Sequence, residues 1–216
     1  CGHDWVLKMS NLSPKRGPET RARLLEVAEQ SVLAKGFAAT SIDELIAAVG
    51  ITKSGFFYHF KGKGELAEAL LQRYIDNEEE LLDELFRRGD ELHEDPLHGF
   101  LVGMKMFAEM MLDLPEGHPG CLVASYCYQE NLFSKDIRAL NKEAVLGWRA
   151  RFRTRFDLIA ARHPPKIDVD LDALADMVSV LVDGGIIVSK VVHDKRVLPQ
   201  QIMLLRDYVR VIFLGT

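Results

Sequence analysis

Residues 52–63, TKSGFFYHFKGK, set three lysines among four aromatic rings, a threonine, a serine and a histidine. That mixture suits a polyanion. Lysine ammonium groups neutralise phosphates, and the Tyr58 hydroxyl and His59 ring reach phosphate oxygens. An apolar ring such as Phe57 can meet a thymine methyl in the major groove. Gly55 would let a helix approach the groove closely. Lys63 stands just ahead of the next helix, whose free N–H groups form a phosphate site. On a helix of about 100° per residue, Phe56 and Phe60 coincide and can pack on Leu45 and Val49. Lys53, Ser54, Phe57, Tyr58 and Lys61 then share another arc, with Gly55 and His59 on the flank. Two rings have a core to enter and two do not.

Other chemistries find little footing. The seven histidines are scattered, with no HExxH or Cys/His ligand spacing, so neither a metal nor a cofactor is expected. No phosphate-binding glycine loop, nucleophile elbow or paired-carboxylate pattern occurs, which argues against an enzyme. Glu78-Glu79-Glu80 reads as a solvated helix face. The run RARFRTR, with Trp148, Phe152 and Phe156 at i, i+4 and i+8, reads as an amphipathic helix and not as a second polyanion patch.

The elements that must position the opening segment are helices. Leu24, Leu25, Ala28 and Val32 form one apolar stripe, with Thr20 as its expected N-cap and Gly36 as its C-cap. Ser41-x-x-Glu44 is a capping box for a second helix, and Thr40 with Asp43 would serve as well. Gly50 ends that helix, and Thr52 caps a third. Two helices of about two turns separated by a short glycine turn have helix-turn-helix spacing. One long helix follows from Gly64, with a break expected near Asn77. Further helical patterns cover 96–112, 121–130, 136–161, 170–193 and 199–214. The chain is therefore all-α with about nine helices. It divides into residues 14–64, a three-helix helix-turn-helix domain, and residues 65–216, a larger helical domain. Residues 1–13 are read as a tag remnant or a disordered arm.

Charge supports this division. The net charge is −5, yet residues 14–64 carry eight Lys/Arg against five Asp/Glu, while residues 65–216 carry eighteen against twenty-six. A basic head is joined to an acidic remainder. No run of about eighteen apolar residues could span a membrane, and three cysteines (1, 121 and 127) make no disulfide framework, so a cytoplasmic setting fits best.

The run GFAATSIDELIAAVGITKSGFFYHFKGKGEL resembles the N-terminal domain of the TetR/AcrR family of bacterial transcriptional regulators. The matching positions are Gly36-Phe37, Thr40, Ile46-Ala47, Gly50-Ile51-Thr52, Phe56 through Phe60, and Lys63 through Leu66. The resemblance implies DNA contacts from Ser41, Thr52, Lys53, Ser54, Gly55, Phe57, Tyr58, His59 and Lys63. Thr52 and Lys53 would meet phosphate, Ser54 and Gly55 would face the groove, and Lys63 would anchor a phosphate. Two positions depart from the pattern. Phe57 replaces a tyrosine, giving up a hydroxyl contact, and Gly64 replaces an acidic residue.

Outside residues 18–66 the resemblance rests on helicity, length and acidity. It implies a homodimer on a palindromic operator of double-stranded DNA, released by a small apolar or amphipathic ligand. Met, Cys and aromatic residues are adaptable linings for such a ligand. The candidates are Phe100, Met104, Phe107, Met111, Cys121, Tyr126, Cys127, Phe133, Trp148 and Phe152, although a Met/Phe stripe at helical spacing serves equally as core. The last two helices carry apolar faces wider than one partner needs, and Gly184-Gly185 permits close approach. Val180, Gly184, Gly185, Ile187, Val188, Val191, Leu205, Tyr208, Val209 and Ile212 are the expected dimer contacts. An activator on the same fold, or a helical binding protein or enzyme without a DNA role, are the competing readings.

Overall fold

A computed structural model describes residues 16–215; the stretch 1–13 and Cys1 lie outside the described residues. Among the described residues there are nine α-helices, one 3-10 turn at Glu130–Leu132 and no strands. The helices are α1 (Arg16–Lys35), α2 (Ile42–Val49), α3 (Lys53–His59), α4 (Lys63–Leu92), α5 (Pro96–Asp113), α6 (Leu122–Cys127), α7 (Lys135–Arg162), α8 (Leu171–Val192) and α9 (Val197–Leu214).

Local chemistry explains most helix ends. Ser41 accepts the Glu44 N–H at 3.2 Å and caps α2. Its box is only half closed, because the Glu44 carboxylate turns to Lys35 at 2.5 Å instead. Thr40 is buried, where its hydroxyl donates to the Gly36 carbonyl. Gly50 ends α2 with φ +74, a left-handed turn that glycine adopts without strain. Thr52 accepts the Gly55 N–H and caps α3. Two expectations need correction. Thr20 lies inside α1, which already runs from Arg16, and Asn77 does not break α4, a continuous helix of 30 residues. Burial on both sides of Asn77, from Tyr74 to Leu82, holds that helix together.

The buried residues form two clusters. The first gathers Leu24, Val32, Leu45, Phe56 and Phe60 of α1–α3 with Leu66, Leu70 and Tyr74 of α4. It also takes in Leu122 and Tyr126 of α6, Phe133, and Ile137 at the start of α7. The rings of Tyr126 and Phe133 stack 4.2 Å apart with Phe37 packed at an angle to both, and the Tyr126 hydroxyl donates to the Ala67 carbonyl at 2.9 Å. By packing, α6 belongs to the head.

The second cluster lies among α4, α5, α7, α8 and α9. Its α4–α5 crossing brings Gly89 and Gly99 backbone to backbone. The arginines of RARFRTR are not simply solvated. Arg149 pairs with Asp176 and Arg153 with Asp172, both on α8, while Arg151 pairs with Asp83 and Arg155 with Asp90, both on α4. Those pairs strap α7 across its two neighbours, with Phe152 and Phe156 buried beneath.

Candidate nucleic-acid interface and ligand cavity

The short helix α3 divides its rings as its spacing predicts. Phe56 and Phe60 are buried, whereas Phe57 is 45% and Tyr58 81% exposed. Lys53, Ser54, Phe57 and Tyr58 lie open on one side of α3, with Gly55 and His59 half-buried at its edge. The Phe57 ring meets Phe56 edge-on at 5.4 Å, and Tyr58 meets His59 at 5.0 Å, so the exposed rings rest on neighbours. Thr52 and Ser54 share a hydrogen bond of 3.0 Å. A Cβ at Gly55 would meet only ordinary van der Waals contacts, the nearest at 3.4 Å. Nothing inside the protein requires glycine there.

Lys63 is placed differently from the rest. Its ammonium donates to the carbonyls of Phe37 at 2.6 Å and Ala38 at 3.3 Å, and lies 4.4 Å from the centre of the Phe37 ring. Burial holds its pKa below the usual lysine value. It ties α4 to the end of α1, a position from which two of its three N–H bonds are already committed. Ser41 likewise spends its oxygen on the α2 cap.

A cavity of about 90 Å³ opens between α4, α7 and α8, near α5 and the start of α6. Of the ten residues singled out for a pocket, Phe107, Met111, Cys121 and Trp148 line it. Phe100, Met104 and Phe152 do not; they fill the second cluster, because α5 is enclosed by α4, α7 and α9. Tyr126 and Phe133 belong to the head cluster, and Cys127 is exposed. The Met/Phe stripe is core at those positions.

Of the polar wall, only Cys121 was among the candidates. Glu78 faces the cavity from α4, Asp183 from α8, and His118 and Cys121 from the stretch before α6. Glu78 sits four residues after buried Tyr74 and four before buried Leu82, so it lies on the inner stripe of α4 while Glu79 and Glu80 are exposed. That register is the signal a sequence reader could have used. Burial pushes the Glu78 carboxyl up to about 7 despite the Tyr74 hydroxyl, and the Asp183 charge adds to the rise. Burial also raises Asp183, pushes the Cys121 thiol up to about 12, and lowers His118 to about 4. The thiol and the imidazole are therefore uncharged at neutral pH.

The elevated Glu78 value has a stability consequence. The folded carboxyl binds a proton between its ordinary 4.5 and about 7, where the unfolded one has lost it. Stability is thus highest below this window and declines as pH rises through it, by about 3 kcal/mol. Glu78→Gln removes that decline. In thermal melts the variant is expected to match the parent near pH 5 and to exceed its Tm near pH 8. An equal Tm difference at both pH values would contradict the assignment.

The last two helices also expose apolar surface. Val180, Ile187, Val188 and Val191 of α8 and Leu204, Tyr208 and Val211 of α9 are exposed, Val191 by 73%. Gly184 lies open, with nothing within 4 Å of where a Cβ would stand. Leu205, Val209 and Ile212 are buried inside the chain. Gly185 is also internal, since a Cβ there would stand 2.9 Å from Leu198 Cδ1. The close approach expected of this glycine pair is made by α8 on α9 of the same chain.

Residues 24–70 match the family described as "Bacterial regulatory proteins, tetR family". The chain is 26% identical over 188 residues to the transcriptional regulator AcuR of Cereibacter sphaeroides, covering 82% of this chain and 83% of that one. It is 32% identical over 107 residues, 49% of each chain, to the HTH-type transcriptional regulator TtgR of Pseudomonas putida. In fold it is similar to a TetR-family transcriptional regulator from Agrobacterium tumefaciens. That comparison has a TM-score of 0.76 at 16% identity, over 91% of this chain and 99% of the other.

Proposed function

We propose that this chain, whose residues 24–70 match the TetR family of bacterial regulatory proteins and which is similar to named transcriptional regulators, is a DNA-binding regulator of that family and acts as a homodimeric repressor. In this reading α3 enters the major groove of a palindromic operator, and a small molecule in the cavity releases it. The observation that carries the DNA face is the exposure of Tyr58 and Phe57 beside Lys53 and Ser54 on a helix anchored by Phe56 and Phe60. An exposed aromatic pair next to a lysine costs solvation in the free protein and matches phosphate and base edges.

Two copies joined through the exposed faces of α8 and α9 present two heads to successive half-sites. Release follows from where the cavity lies. Its wall includes Tyr74, Ile75 and Glu78 of α4, and Val123 of α6 with its N-cap Cys121. Both helices also enter the head cluster. A ligand that fits one arrangement of these walls better than another shifts the heads between spacings.

Fluorescence anisotropy on a promoter-derived palindrome tests the DNA face. Log K is expected to fall linearly with log salt, and Lys53→Ala to weaken binding across sequences and reduce the slope by about one unit. A salt-independent signal, or an unchanged slope in Lys53→Ala, would overturn the assignment of this face. Lys63→Ala is expected to act through head stability, since its ammonium serves internal carbonyls.

A further inference from the structure

The cavity's wall says more about its occupant than its apolar content does. Tyr74, Phe107 and Trp148 supply aromatic surface, while Met111, Val182 and Ile186 supply aliphatic surface. Besides the exposed Glu79, this lining holds two carboxyl groups, Glu78 and Asp183, and the Asp183 charge acts on Glu78. Among the described residues neither takes part in an ion pair with a lysine, arginine or histidine of this chain. The four arginines that strap α7, by contrast, are each matched by a carboxylate of α4 or α8.

The remaining basic groups on the wall are committed elsewhere. Arg151 pairs with Asp83. His118 is neutral, accepts the Gly120 N–H at its Nδ1, and has Lys190 beside it. The Lys190 ammonium donates to the Pro119 carbonyl. The polar groups nearest Glu78 are the Tyr74 hydroxyl and the Trp148 indole, which can donate hydrogen bonds but carry no charge. Carboxyl groups removed from water without a counter-ion are costly.

We propose that the cavity binds a small organic cation, a protonated amine with an apolar body, its ammonium between Glu78 and Asp183 and its body against Trp148 and Phe107. The volume limits its size. An apolar cavity of about 150 Å³ admits benzene, so about 90 Å³ suits a chain of roughly four carbons without rearrangement. A carboxylate of that size would meet these acids with no uncommitted cation among the described wall residues to receive it. This inference deepens the ligand-release reading above and rests on it only for the consequence at the operator.

Calorimetric titration of the DNA-free protein with n-butylammonium, butan-1-ol and butyrate at pH 7.5 tests the charge preference directly. Butylammonium is expected to bind in preference to both isosteres, with Glu78→Gln and Asp183→Asn each weakening it by about tenfold. Both variants remove an uncompensated buried charge, so they are expected to fold. Their melts, measured in the same samples, report it. Preferred binding of butyrate or butanol, or binding of butylammonium that both variants leave unchanged, would overturn the proposal. A parallel anisotropy measurement separates the two claims. Butylammonium that binds the protein yet leaves the operator complex intact would contradict ligand release while leaving the cation site standing. Absent binding with the operator complex normal would defeat the cation site alone.

Discussion

Replacing Gly184 with tryptophan is expected to leave each chain folded, to yield monomers, and to reduce operator affinity by on the order of a thousandfold. The position is suited to this test because a Cβ there meets nothing within 4 Å inside the chain. Its neighbours on the same face, Val180, Ile187, Val188 and Val191, are all exposed. An indole added to that face costs the monomer little and stands where a second copy would pack. The large effect arises because two heads on one operator bind the second half-site at a high effective concentration, an advantage that a monomer forfeits. Sedimentation velocity at micromolar protein gives the oligomeric state, circular dichroism the fold, and anisotropy the affinity. A dimer that persists in Gly184→Trp would remove α8 as the interface.

Gly89→Ala is expected to be the most damaging single-methyl change in the body of the protein. The added Cβ would stand 2.4 Å from the Gly99 carbonyl oxygen and 3.1 Å from its carbon, both main-chain atoms that cannot swing aside. Relief requires α4 and α5 to separate along a crossing where Phe86, Phe100 and Phe152 interlock. The Arg155 bridge to Asp90, laid over the Phe86 ring at 4.5 Å, would be pulled with them. Overpacking of this kind costs about 3 kcal/mol. Gly64→Ala in the same helix is the control, since nothing lies within 4 Å of it. There alanine is expected to stabilise by up to about 1 kcal/mol. Urea denaturation of both variants gives the comparison, and equal midpoints would show that α4 and α5 have room to yield.

Much of the head is legible in the chain because its signals are local. Alternation of buried and exposed rings at Phe56–Phe60, the Ser41 and Thr52 caps and the Gly50 turn all act within one or two helical turns. What escapes is decided by distant partners. Lys63 looks like a free cation until α1 brings the carbonyls of residues 37 and 38 to it. Glu78 looks like the first of three solvated acids until α8 and α7 close over it. The Met/Phe pattern of α5 is the same whether it faces a cavity or another helix. Only the arrangement of α4, α7 and α9 around it makes Phe100 and Met104 core and leaves Phe107 and Met111 at the cavity. Glycine pairs carry the same ambiguity: Gly185 serves α9 of its own chain, while its neighbour Gly184 faces outward.

The capture of α6 by the head also bears on how such a protein can be re-engineered. An exchange of DNA specificities by splicing at residue 64 would seem natural from the chain order. It would strip Leu66, Leu70 and Leu71 of their partners on one side and strand Tyr126, Phe133 and Ile137 on the other. The Tyr126 hydroxyl would lose the Ala67 carbonyl, and Gln129 would lose its bond from the Ala38 N–H. The transplantable unit is discontinuous, comprising residues 16–74 together with 122–137. A working chimera must carry both pieces from one parent or redesign the seam where they meet.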